Sequence, residues 1–82
     1  MSDFKNPELL KRITVKPEIM LGKPTIRGTR LTVEHLLKAM AAGLNFEQLH
    51  DDYPFLEAED LSACLLYASQ LVENERVFAV TA

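Results

Sequence analysis

Apolar residues return every three or four positions from Thr32 onward. Val33, Leu36, Leu37, Met40, Ala41 and Leu44 fall at i, i+3, i+4, i+7, i+8 and i+11, the spacing that lines one face of an α-helix. Thr32 is placed to cap that helix, Glu34 suits its first turn, and Gly43 ends it. Asn45 and Gln48 stand three apart, as in a capping box, and predict a second, short helix whose Phe46 and Leu49 face the same core. Tyr53-Pro54-Phe55-Leu56 interrupts it, because Pro54 cannot continue the hydrogen-bond ladder. A third helix is expected over residues 58–74, with Leu61, Cys64, Leu65, Ala68, Leu71 and Val72 on its buried stripe. Leu66 and Tyr67 fall off that stripe, either as ordinary exposed apolar residues or as a contact with another chain.

Before Thr32 the pattern is different. Asn6-Pro7-Glu8-Leu9-Leu10 reads as a single helical turn, with Asn6 as cap and Pro7 in the first helical position. Arg12-Ile13-Thr14-Val15 alternates polar with β-branched residues, a strand with Ile13 and Val15 on one face that Pro17 stops. Residues 21–30 read as turn, short extended piece and turn: Pro24 disfavours helix before it, Thr25 and Ile26 favour extension, and Gly28 permits positive φ. Ile26 then joins Ile13 and Val15 in a two-stranded sheet that needs the helices or a second subunit for support. Arg76 to Ala82 is β-prone and free to dock on the core or add a strand to a partner. The expected fold is mainly α: a tri-helical helix-turn-helix with a small N-terminal two-stranded β element. Residues 1–82 form one domain, made of a basic β/turn segment (1–31), a helical body (32–75) and a short tail (76–82).

Composition bounds this reading without changing it. A chain of 82 residues supports one hydrophobic core and leaves little room for a large catalytic cleft. Apolar residues at 48% and charged residues at 26% match ordinary globular usage, and no stretch has the apolar length of a membrane span. The first residues lack the basic region and apolar run of a secretion signal, so a cytoplasmic protein is expected. Cys64, the one cysteine, has no internal disulfide partner and belongs to the core.

Charge is unevenly distributed along the chain. The net value of −3 hides a division: residues 1–30 carry seven basic and three acidic groups, a balance of +4, and residues 31–82 carry two basic and nine acidic groups, a balance of −7. Two faces for two kinds of partner follow, with a polyanion the natural match for the basic one. Lys23, Thr25, Arg27, Thr29 and Arg30 place cations and small hydroxyls within eight residues, the groups that phosphate contacts use, beside the start of the first long helix. The competing reading is structural: Gly28-Thr29-Arg30 only makes the turn into the helix, and Arg30 pairs with Glu34. The helix after a helix-turn-helix turn normally enters the major groove. Here it would present Asn45, Gln48 and His50 alongside Glu47, Asp51 and Asp52, which repel phosphates, so the basic extended segment, duplicated in a homodimer, is the leading DNA contact.

Enzyme chemistry is not expected. Asp51 and Asp52, like Glu59 and Asp60, are sequence neighbours whose side chains splay apart on a helix. His35 and His50 lack the second ligand that zinc requires, and Gly22-Lys23 lacks the upstream glycine and the hydroxyl of a phosphate loop. No catalytic residue, metal or cofactor is assigned.

Arg12-Ile13-Thr14, then Gly22-Lys23-Pro24-Thr25-Ile26-Arg27-Gly28-Thr29-Arg30, then Ala42-Gly43 and Asp52-Tyr53-Pro54, resemble in order and spacing the domain of unknown function 433 family, over roughly residues 11–70. The resemblance implies a homeodomain-like helix-turn-helix fold and a prokaryotic cytoplasmic setting. It also implies an antitoxin of the VapB type, encoded beside a PIN-like nuclease toxin and binding its operator DNA. Glu57 departs from the family pattern, standing where a Thr or Ser cap is expected. A second class of function is a protein-interaction module that neutralises its partner without binding DNA. In that case the acidic third helix with Leu66 and Tyr67, together with Val77, Phe78 and Val80 of the tail, covers a basic nuclease surface.

Overall fold

In the computed structural model, residues 7–74 are described, with side chains from Glu8 to Glu73. The element order is α1 (Pro7–Leu10), β1 (Ile13–Thr14), β2 (Thr25–Ile26), α2 (Val33–Ala41), α3 (Phe46–Asp52) and α4 (Ala58–Asn74), with a tight left-handed turn over Met20–Gly22 between the strands. This is the mainly helical architecture with a two-stranded sheet that the sequence predicts.

The strands pair antiparallel, Ile13 opposite Ile26 and Thr14 opposite Thr25. On its other edge β2 meets the chain again: Thr25 bridges Thr32, Ile26 N–H donates to the Leu31 carbonyl (2.9 Å) and Val33 N–H donates to the Pro24 carbonyl (2.9 Å). Residues 24–33 are therefore a hairpin that runs directly into α2. Thr32 caps α2, its hydroxyl accepting from His35 N–H at 3.0 Å. Asn45 and Gln48 complete the capping box of α3 in both directions, at 2.9 Å each. Gly28 (φ 79) and Gly43 (φ 98) supply the left-handed residues that the two turns require.

Ile26, Leu31, Val33, Leu36, Leu49, Leu56 and Cys64 form the buried core, and α4 packs against both α1 and α2. Burial of this apolar surface holds together elements too short to persist alone. At Cys64 the same burial pushes the thiol up to about 12, with the nearby Asp60 charge adding to the effect.

Three expectations need correction. Val15 lies beyond the end of β1 and is exposed, and Leu44 lies past the end of α2 and is exposed as well. The buried stripe of α4 is also rotated from its expected phase. Asp60, Ala63 and Cys64 are buried, Leu61 and Tyr67 pack against the core and Leu66 is half-buried, while Leu65 (55% exposed), Leu71 (52%) and Val72 (69%) face outward. The reason is composition: α4 carries apolar residues on most of its circumference, so periodicity alone does not set the phase. Contact with α1 and α2 sets it instead. Val77, Phe78 and Val80, assigned to partner binding, lie outside the described residues.

Candidate nucleic-acid interface

The turn that carries Arg27 and Arg30 is closed by backbone and side chain together. Thr29 N–H donates to the Ile26 carbonyl (3.0 Å), the Thr29 hydroxyl donates to the same carbonyl (2.8 Å), and that hydroxyl accepts from Leu31 N–H (3.0 Å). Arg27 N–H is fixed in turn by the Arg12 carbonyl at 2.7 Å. The hairpin thus ends in a rigid tip, with two exposed arginines on either side of Gly28-Thr29.

The cations around this tip divide into locked and open ones. Arg12 Nη1 meets Glu57 Oε1 at 2.6 Å and Asp60 Oδ1 at 3.1 Å. These two hydrogen bonds, the one to Glu57 first, raise the pKa of the guanidinium. Lys23 Nζ lies 2.9 Å and Lys38 Nζ 3.0 Å from the two oxygens of Glu34, which lower its pKa below the usual carboxylate value. Lys11 pairs with Glu8 at 3.4 Å. Arg27 and Arg30 have no hydrogen bond or ion pair from their guanidinium groups to any described residue. Glu34 is engaged by the two lysines and not by Arg30, so the structural account of Arg30 as a partner of Glu34 does not hold.

The remaining sequence-assigned residues sort differently. Thr25 is buried, with its hydroxyl 3.4 Å from that of Thr14, and therefore belongs to the sheet and not to a surface. Thr29 shapes the tip through the bonds above. Asn45 and Gln48 are exposed, but their side chains are spent on capping α3. His50 Nδ1 donates to the Leu56 carbonyl at 2.9 Å, which ties α3 to the segment leading into α4. Of the eight assigned residues, Arg27 and Arg30 are the cations that make no ion pair with a described residue, while Lys23 is partly neutralised by Glu34.

Aromatic groups that the sequence did not single out lie beside this tip. Phe55, half exposed, stands between two hollows. One, of about 190 Å³, is lined by Arg12, Arg27, Glu57 and Asp60, and the other, of about 430 Å³, by Met20, Arg30, Leu31, His35 and Tyr53; Thr29 and Phe55 border both. Tyr53 lies 6.1 Å from Phe55 between ring centres, and its hydroxyl is 3.1 Å from His35 Nε2. Proximity to the Pro54 break was the one available signal, and it does not distinguish an exposed aromatic from a core one.

Glu57 stands where a Ser or Thr cap was expected, and its own carboxylate turns to Arg12. The capping work passes to Asp60, whose Oδ2 accepts from Glu57 N–H at 2.9 Å. Among the described residues, no three His, Cys, Asp or Glu side chains gather as a metal site would require, and no helix is long and apolar enough to cross a membrane.

A hairpin that feeds a three-helix body defines a small, mainly helical fold with a two-stranded sheet. The family model for the protein of unknown function DUF433 matches residues 13–68, and the chain belongs to that family. The uncharacterised protein y4eO of Sinorhizobium fredii is 35% identical over 68 residues, a match that covers 80% of this chain and 31% of that protein. The crystal structure of a DUF433 member from Anabaena variabilis superposes with a TM-score of 0.72 at 36% identity, covering 82% of this chain and 66% of that one. This chain thus spans about a third of the length of the Sinorhizobium relative.

Proposed function

We propose that this protein is a nucleic-acid-binding regulator of the antitoxin type, which contacts operator DNA through the hairpin tip and holds a nuclease-like toxin on α4. The reading rests on one observation: Arg27 and Arg30 share a hydrogen-bonded turn and make no ion pair with a described residue, while Lys11, Lys23, Lys38 and Arg12 are paired. An anionic backbone supplies the missing partner, and a dimer doubles the contact. Binding of the protein to its own promoter should weaken steeply with salt, and Arg27→Ala with Arg30→Ala should lower the slope of log K against log salt by about one per cation removed. A protein that shows no promoter retention at low salt, alone or with the product of the adjacent gene, loses this half of the assignment.

The second reading, a module that neutralises a partner protein without touching DNA, draws on α4. Leu65, Leu71 and Val72 are bare, no basic residue lies within Ala58–Asn74, and Glu59 and Glu73 flank the apolar face. A basic partner with an apolar groove suits this face on both counts. Under this reading Leu65→Asp or Val72→Asp should release a co-expressed toxin, and the parent protein should show no promoter retention at low salt.

A further inference from the structure

The nucleic-acid reading leaves the wider hollow beside Phe55 without a task. It is an open hollow of about 430 Å³, within the range of small-ligand sites, and its wall is largely aromatic and aliphatic. That wall is held in place before any ligand arrives. The Tyr53 hydroxyl is tethered to His35 at 3.1 Å with the two rings edge to face, and Phe55 sits 6.1 Å further along. Met20 reaches the hollow from a turn in which Met20 (φ 51) and Leu21 (φ 59) both adopt the left-handed conformation that side chains disfavour. The chain tolerates strain at the one place that brings Met20 to this wall.

Charge says what kind of occupant fits. Phe55 borders both hollows, with Arg27 in one and Arg30 in the other, so a half-exposed ring stands between two cations that make no ion pair with a described residue; the two acids that line the Arg27 hollow, Glu57 and Asp60, are engaged by Arg12. A flat ring with an anionic group on each side matches that order, and this is one nucleotide of a strand with its neighbouring phosphates. A base within a duplex presents only its edge in a groove and cannot lie on Phe55. Resting on the nucleic-acid reading above, we infer that the hollow accepts one unstacked base of a single strand against Phe55 and Tyr53, while Arg27 and Arg30 hold the phosphates on either side.

The test is fluorescence anisotropy with the full chain at low salt, using a labelled single strand of about a dozen nucleotides, the same strand with abasic sites, and the matching duplex. Single-strand affinity should exceed duplex affinity by about tenfold or more, and removing the bases should abolish the excess. Phe55→Ala should lose about tenfold on the single strand, the usual effect of one aromatic–base stack, and leave duplex affinity where it was, while Phe55→Tyr restores it. Circular dichroism of each variant confirms the fold, which a half-exposed side chain does not dictate. Equal affinity for intact and abasic strands, or a Phe55→Ala variant that binds as the parent does, overturns the base pocket and leaves phosphate binding standing. Failure to bind any of the three nucleic acids removes the pocket and the regulator reading together.

Discussion

Arg12 and Asp60 meet at 3.1 Å across 48 residues of sequence, and the other oxygen of Asp60 accepts the N–H of Glu57 at 2.9 Å. One carboxylate, only 5% exposed, therefore fastens the N-terminal segment and caps α4 at once. Asp60→Ala removes both connections. Loss of the cap alone costs about 1–2 kcal/mol, and the total should be larger because Arg12 keeps only Glu57. Urea denaturation should show the loss, and a variant as stable as the parent would refute the dual role. Asp60→Asn, which keeps an acceptor for Glu57 N–H, should fall between the two.

Leu21 is 95% exposed and left-handed (φ 59), so its side chain gains no burial for the strain it carries. A non-glycine residue in that region costs about 1–2 kcal/mol, and Asn tolerates it better than Leu. Leu21→Asn should raise the melting temperature by a few degrees in calorimetry. A lower melting temperature would mean that the leucine has contacts in solution that this conformation lacks.

At Gly28 (φ 79) an added Cβ meets nothing within 4 Å, so Gly28→Ala tests conformation and not crowding. It should cost about 1 kcal/mol and reorient Arg27 relative to Arg30. The paired readout is promoter affinity: a drop beyond that of the matched loss in stability supports the tip as the contact.

Cys64 is fully buried, and its thiol sits near 12 instead of 9.0. A folded-state pKa above the unfolded one stabilises the fold below pH 9.0 and gives that stability up as pH climbs toward 12. Native protein should resist a thiol reagent at pH 8 and react with one equivalent after denaturation. Rapid native labelling would contradict the burial.

Glu34 runs the other way. Hydrogen bonds from Lys23 first, then Lys38, lower its pKa from 4.5, so its contribution is present above that value and fades as pH falls through the folded-state pKa. The parent should therefore lose more stability than Glu34→Gln on acidification below pH 4.5, and the difference should shrink in high salt because these side chains are half exposed or more. Parallel acid titrations of both proteins decide it.

Local signals were legible in the sequence and distant ones were not. Thr32, the Asn45–Gln48 pair, Gly28 and Gly43 act within three or four residues of themselves, so their spacing carries the whole instruction. The pairing of Ile13 with Ile26 was also readable, because both lie in short β-branched runs bounded by prolines and glycine. Arg12 gives no such hint. It sits among basic residues in sequence, and its partners come 45 and 48 positions later. The phase of α4 was hidden because Leu65, Leu66, Leu71 and Val72 satisfy more than one helical stripe, and only packing chooses between them. For the site, charge spacing pointed to Arg27 and Arg30, while the loss of Thr25, Asn45 and Gln48 to the sheet and the cap depends on hydrogen bonds that composition does not reveal.

The reach of Arg12 also orders events in time. Its anchors are Glu57 and Asp60, and its carbonyl positions the backbone of Arg27. During synthesis β1 can pair with β2 as soon as Ile26 has emerged, but the side-chain tie from Arg12 to the helical body waits until Glu57 and Asp60 have been made. A fragment cut short before Glu57 would leave the Arg12 guanidinium without either anchor, and with them would go the side-chain tie between the N-terminal segment and α4.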